Sequence, residues 1–416
     1  MQTEAEAFLQ RIRAYPDDDA QRLILADWLD EEGDPRGRFI RVQLALAELP
    51  PDATARRDLQ IQERELLTAH RDAWLAPFRG LATGCEFRRG FVDELKVEAR
   101  QFLRHADTIF AAAPVRHVHL LDVSESLPAV MQVPYLGRLA ALTVHAQHTG
   151  EPLARAVARS EHLAGLKRLT LTRNRLGDDA AEQLARSPHL TNLEELDLSE
   201  NEIGEAGARA LAASSHLGKV CRLELRDNRF GPVGAEAVAG SDRLASLYRL
   251  GLAHNDVGLP RLLSLGRACA LLGVPVLDLC ANGLKAAALQ TIFTRPQGPD
   301  AGPVRLTELD LGHNKELGDD GARVLAGCPH LEELAALRLA DCGIGDEGCR
   351  ALANAPHLNR VEVLDLESNS ISDAGLRPFL DTRYWRALRH LGLPRGGLSI
   401  GLRKDIDSKF NRPRRA

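Results

Sequence analysis

Aromatic side chains make up only 4% of this 416-residue chain, and methionine occurs twice. A core must therefore be built mainly from aliphatic side chains, leucine above all. No stretch approaches 18 consecutive apolar residues, so the sequence predicts no transmembrane helix. The first 20 residues are acidic and lack an apolar segment, which predicts no secretory leader. The seven cysteines, at 85, 221, 269, 280, 328, 342 and 349, are odd in number, and none forms C-x-x-C. They read as reduced thiols, and the expected compartment is the cytoplasm. A net charge of -5 gives no general attraction to nucleic acid or to an acidic membrane surface. H-E-x-x-H, G-x-S-x-G and G-x-x-x-x-G-K-[ST] are missing, which removes the usual signatures of zinc peptidases, serine hydrolases and P-loop nucleotide sites.

What is present is a repeat. In residues 193–217, Leu193, Leu196, Leu198, Asn201 and Ile203 give L-x-x-L-x-L-x-x-N-x-[IL]. The asparagine stands at 174, 201, 228, 255 and 282 in steps of 27, and again at 314; Cys342, Asn369 and Gly396 hold the later slots. The step from 282 to 314 is 32, read as a surface loop inserted at residues 295–303, and the step to 342 is 28 because Lys315 and Glu316 precede Leu317. Leu196 and Leu198 alternate with Glu195 and Asp197, the period of a short strand with one face inward. Asn201 falls where the chain leaves that strand, and its amide can satisfy backbone groups opened by the bend. Then comes G-x-x-G-A-x-A-L-A at 204–212, with a counterpart at 345–353, placing Ala208, Leu211 and Ala212 on one helical face. Each unit closes on a leucine expected to be buried: Leu163, Leu190, Leu217, Leu244, Leu271, Leu331 and Leu358.

This pattern is the leucine-rich repeat signature. At 27 to 28 residues with a helix in each unit, residues 160–396 resemble the ribonuclease-inhibitor type, which Ran GTPase-activating proteins share. The resemblance implies an α/β solenoid of horseshoe form, with parallel strands on the concave side and helices on the convex side. Residues 4–49, including F-L-Q-R-I-R-A-Y-P-D-D-D and L-A-D-W-L-D-E-E-G-D-P-R-G-R-F, resemble the repeat-companion domain found at the N-terminus of repeat proteins in planctomycetes and myxobacteria. A bacterial source is implied, and the abundance of Arg, Ala, Gly and Leu agrees with it.

In chain order, residues 1–80 are expected to form a small all-α domain without the 27-residue period. Its helices would span residues 4–14, a segment carrying Leu23, Ile24, Trp28 and Leu29 and stopped by Gly33, a segment after Pro35, and about 52–70. Asp17, Asp18 and Asp19 offer helix caps. Residues 84–160 read as degenerate repeats, with strands at Leu95–Val97, Val118–Leu120 and Leu142–Val144, and residues 161–398 as regular repeats. Residues 399–416 read as a basic tail with Arg403, Lys404, Lys409, Arg412, Arg414 and Arg415.

The candidate chemistry is sparse. G-x-G-x-x-G at 343–348 follows a strand and precedes a helix, but Gly345 and Gly348 occupy the repeat slots of Gly204 and Gly207, so no cofactor is expected. His117 and His119 share one strand face, with His145 on the next strand; no carboxylate or thiol is evident at matching slots, so they read as surface histidines and no metal is expected. The open strand positions supply the site residues: Arg168, Thr170, Arg173, Glu195, Asp197, Arg222, Glu224, Arg226, Arg249, Asp278, Asp310, Arg338, Asp365 and Glu367. Arginines gather in the first four regular repeats and carboxylates in the later ones. The expected function is a non-enzymatic scaffold that binds another protein on the concave strand face, with no membrane, nucleic-acid or small-molecule partner and no catalytic residues. The alternative, drawn from the likeness in repeat type alone, is an activator-like regulator of a small GTPase.

Overall fold

The computed structural model describes residues 2–50, 53–257, 273–293, 304, 306–381 and 383–411. Leu271, Cys269, the inserted loop at 295–303 and Arg412, Arg414 and Arg415 lie outside them. The α/β repeat architecture is present: short parallel strands alternating with helices, after an N-terminal helical region. The chain divides into two compact units, Met1–Thr149 with Arg159–Thr170 and Gly150–Ala158 with Leu171–Arg415.

In the first unit, helices α1 (Gln2–Ala14), α2 (Asp19–Glu31), α3 (Arg36–Glu48) and α4 (Ala55–Trp74) precede an antiparallel hairpin of β1 (Ala82–Arg88) and β2 (Phe91–Glu98). Parallel strands β3 (His117–Leu121), β4 (Ala141–Val144) and β5 (Arg168–Thr170) follow in order. The three irregular strands expected here are β2, β3 and β4; β1 was not foreseen.

The helices do not form a core of their own ending at residue 80. Ile12, Leu25, Ala26, Leu29, Ile40 and Leu44 pack with Phe91 of the hairpin, and Phe39, Val42, Leu46 and Leu66 pack with Phe87. Buried Gln43 joins the two parts: its Nε2 donates to Glu63 at 2.8 Å and to the Phe87 carbonyl at 3.3 Å, and its Oε1 accepts from Gly90 N–H at 2.7 Å. Only glycine fits at 90, where φ is +89° and a Cβ would lie 2.2 Å from the Ile40 side chain.

Helix α2 turns a different face inward from the one expected. Leu23 and Ile24 are exposed, whereas Arg22, Leu25, Ala26 and Leu29 are buried. Spacing i, i+3, i+4, i+7 selects this stripe. Its polar member is tolerated because the Arg22 guanidinium donates to the Pro16 carbonyl at 2.7 Å and lies 3.6 Å from Asp19. Asp18 caps α2 by accepting from Ala20 N–H at 3.0 Å.

The second unit carries three-residue strands: β6 (Glu195–Asp197), β7 (Arg222–Glu224), β8 (Arg249–Gly251), β9 (Val276–Asp278), β10 (Glu308–Asp310), β11 (Ala336–Arg338), β12 (Val363–Asp365) and β13 (His390–Gly392). Neighbours pair in parallel, in register, so Leu196, Leu223, Leu250, Leu277, Leu309, Leu337, Leu364 and Leu391 form one buried row. A buried leucine contributes about 1.5–3 kcal/mol, and in a stack it does so only against its neighbours. The described closing leucines of this unit, Leu190, Leu217, Leu244, Leu331 and Leu358, are all buried.

The asparagine slot is a buried ladder. Asn201 Nδ2 donates to the carbonyls of Leu171 (2.9 Å) and Leu198 (2.8 Å), while its Oδ1 accepts from Asn174 N–H (2.9 Å) and Leu176 N–H (3.1 Å). Cys342 keeps part of this role, its thiol facing the Leu311 carbonyl at 3.1 Å. A second ladder lies at the helix starts. Asp178 Oδ1 accepts from Gly204 N–H (2.7 Å) and Gly207 N–H (2.8 Å) of the following repeat; Asp319 does the same for Gly345 and Gly348, Asp346 for Ser372 and Asp373 for Ser399.

The segment read as a basic tail is instead a helix, Ile400–Lys409, capped by Ser399 and burying Leu402 and Ile406, with Phe410 buried just beyond it. Its basic residues alternate with apolar ones at helical spacing, which a count of charges hides. Asn411 then covers the outer edge of β13, accepting from Leu391 N–H at 2.8 Å and donating to the Leu391 carbonyl at 3.0 Å.

Candidate functional site

All fourteen open-strand residues are at least partly exposed. Arg168 and Thr170 belong to the first unit and the other twelve to the second. The second unit's arginines are largely matched by local carboxylates. Glu224 Oε1 lies 3.1 Å from Arg222 and 2.6 Å from Arg249, Arg173 is 2.5 Å from Glu200, Arg226 is 3.1 Å from Asp227, and Arg338 is 3.5 Å from Glu308. The simple division into a basic early part and an acidic late part is thus weaker than the sequence suggested, because the early arginines face glutamates on their own or neighbouring strands.

Of the site carboxylates only Glu224 is ion-paired among the described residues; Glu195, Asp197, Asp278, Asp310, Asp365 and Glu367 are not, and of these Asp278 and Asp310 stand together. They sit opposite each other on β9 and β10, and neither forms an ion pair among the described residues. Burial pushes the Asp310 carboxyl above its ordinary value, and Asp278 and Asp365 push it further, against the Gly312 N–H and Arg338. Burial also raises Asp197. Cys280, beside this pair, is pushed up to about 12, first by burial and then by the two aspartates. Such a thiol is protonated and unreactive at neutral pH.

In the first unit, the histidines are not surface residues without a partner. Glu94, opposite His117 in the β2–β3 register, lies 2.8 Å from His119 Nε2 and 3.2 Å from His117 Nδ1. His117 Nε2 is 3.0 Å from Thr143 Oγ1. All three members are half-buried, at 16% to 22% side-chain exposure. Burial, followed by the charge of His119, lowers His117 to about 4; burial also lowers His119. Burial alone would raise Glu94, but the two imidazoles and Arg88 reverse this. His145 also makes interactions and is no free ligand.

The G-x-G-x-x-G segment has no open phosphate cradle. The Gly345 and Gly348 amides, which would face a phosphate, donate to Asp319 at 2.7 and 2.9 Å, and a carboxylate there repels an anion. Gly343 is required for its backbone: φ is +68°, and a Cβ would lie 2.3 Å from the Lys315 carbonyl.

Comparison with known families matches a model described as Leucine Rich repeat to residues 189–212, 222–239, 306–326, 327–353 and 357–380, all within the second unit. These segments are leucine-rich repeats. No curated protein matches the chain. Among solved structures, an internalin from Listeria monocytogenes is similar at 16% identity and a TM-score of 0.42, over 73% of this chain and 87% of that one. The yeast Rad7 and Elc1 complex gives 16% identity and a TM-score of 0.40, over 92% and 96%. The ectodomain of a plant membrane receptor kinase from Arabidopsis thaliana gives 15% and 0.36, over 70% and 31%. No described helix is long and apolar enough to cross a membrane.

In the second unit the strand aspartates have a structural duty that the sequence reading missed. Asp197, Asp278, Asp310 and Asp365 each accept from the backbone N–H two residues on, at 2.9 Å, turning the chain out of the strand. The only signal in the sequence was recurrence of L-D-L, which charge counting treats as surface.

Proposed function

We propose that the protein is a non-enzymatic scaffold whose leucine-rich repeats bind a protein partner on the solvent face of the strands, centred on Asp278 and Asp310, and that this partner presents cationic side chains. Protein binding is the general role of leucine-rich repeat folds, and the yeast structure named above is itself a complex of two proteins. The observation that carries the reading is the Asp278–Asp310 pair. Two part-buried carboxylates in register on adjacent strands repel each other, and a lysine or arginine from a partner would relieve that cost. The bacterial origin, the cytoplasmic setting and the repeat-companion character of the N-terminal helices belong to the same proposal. They rest on the residue patterns in 4–49 and on the odd, unpaired cysteine count.

The test is affinity capture from cell extract with the full chain, comparing wild type with the Asp278→Lys/Asp310→Lys double variant by quantitative mass spectrometry. A partner enriched at least tenfold by wild type is expected to be lost by the double variant, which also gives up the turn bonds to Cys280 and Gly312 and so melts lower but must remain folded at the assay temperature. Its wild-type binding should weaken as salt rises, because screening acts over ~8 Å at physiological ionic strength. Equal recovery by a folded double variant rules this face out.

A further inference from the structure

The geometry points to a binding site for a divalent first-row transition cation, zinc for preference, formed by Glu94, His117 and His119 in the first unit. His117 and His119 are two residues apart on β3, so both rings leave the same face, with centroids 4.3 Å apart. Glu94 reaches them from β2, and one ligand atom from each of the three lies within 4.8 Å of the others. Tetrahedral zinc, with bonds of about 2.0–2.2 Å, needs donors roughly 3.3 Å apart. The carboxylate already stands 2.8 Å from His119 Nε2 through one oxygen and 3.2 Å from His117 Nδ1 through the other.

The support is rigid. Leu95, Val118 and Leu120, which alternate with the three ligands along β2 and β3, are fully buried beneath them. Thr143 supplies the orienting contact that ligating histidines usually have. Its hydroxyl can accept from His117 Nε2–H, leaving the Nδ1 lone pair for the ion, or donate to Nε2 when no ion is bound. Two imidazoles with one carboxylate suit zinc and its first-row neighbours. Calcium and magnesium prefer all-oxygen shells. Three protein donors on a half-exposed face leave a fourth position open to solvent. Arg88, 3.8 Å from Glu94, opposes a cation, but at 57% side-chain exposure it is free to swing outward.

A second group, Asp278, Cys280 and Asp310, also brings its ligand atoms within 4.8 Å, which makes it the natural control. The full chain, stripped with a chelator, is titrated with zinc against a chromogenic chelator near neutral pH. One zinc per chain is expected. Its affinity should fall at least tenfold in Glu94→Gln and in His119→Asn, and about tenfold in Thr143→Val. It should be unchanged in Asp278→Asn/Asp310→Asn. Cobalt added to wild type should give the visible bands of a four-coordinate nitrogen and oxygen site, a readout that needs no variant. The assignment is overturned by a cobalt spectrum of free aquo ion, by zinc uptake equal in wild type and Glu94→Gln, or by loss only in the Asp278/Asp310 variant.

Discussion

Asp310 shows how one side chain can serve the fold and strain it at once. Its Oδ1 closes the turn to Gly312, while burial and two neighbouring aspartates disfavour its charge. With its folded pKa above the unfolded value of about 3.9, the folded state holds the proton more tightly. Stability therefore falls as pH rises from about 3.9 through the raised folded value, and the cost is fully present at neutral pH. Asp310→Asn retains an oxygen for the Gly312 N–H and removes the charge. It should unfold at higher denaturant concentration than wild type at neutral pH, and the gain should vanish below the unfolded pKa; urea melts across pH check both points. A lower midpoint at neutral pH would mean that the charge is compensated. The sequence placed Asp310 correctly on an open strand position, because the two-residue alternation of β10 is read directly. Its turn bond was hidden, since an aspartate that bends its own backbone looks the same in sequence as one that faces solvent.

Four helices of the second unit begin on a carboxylate lent by the preceding repeat, and this fixes which glycines are obligatory. A Cβ on Gly207 would stand 2.6 Å from Ile203 Cγ2 and 2.7 Å from Asp178 Oδ1. Gly207→Ala should therefore destabilise by about 1–3 kcal/mol, even though alanine is the better helix former by about 1 kcal/mol. Gly401, in the last helix, has nothing within 4 Å, so Gly401→Ala should have the opposite sign, stabilising by up to about 1 kcal/mol. Calorimetric melting of the two variants decides, and two shifts of the same sign would show that propensity rather than packing controls these positions. The glycine spacing was legible, but its cause was not. Asp178 and Gly207 are 29 residues apart, and their pairing appears only when one repeat lies on the next. Glu94 escaped notice for a related reason. The strands expected at Leu95–Val97 and Val118–Leu120 already set it 23 residues before His117, but only the pairing of β2 with β3 shows that the side chains meet.

Across the whole molecule the thiols report folding. Cys85, Cys328, Cys342 and Cys349 are buried, and burial raises all four, Cys342 to about 12. Cys221 is part-exposed. An aromatic disulfide reagent should label Cys221 quickly in the native protein and reach these four only on unfolding; fast native labelling of Cys342 or Cys349 would contradict the repeat packing. The leucine and asparagine register over 174–369 was legible because identical slots must meet when repeats stack. The shared core of the N-terminal helices and the β1–β2 hairpin was not, because Gln43 meets Gly90 through a single polar contact with no period behind it. The asparagine ladder also has a direction. Asn201 accepts from Asn174, Asn282 from Asn255, Asn314 from Asn282, and Asn369 from Cys342, so the later repeat always satisfies the earlier one. On the ribosome, then, each newly emerged turn waits with open amides until its successor arrives. Synthesis proceeds as a series of debts, each settled one repeat later, while the outer edge of the last strand is covered by Asn411 at Leu391.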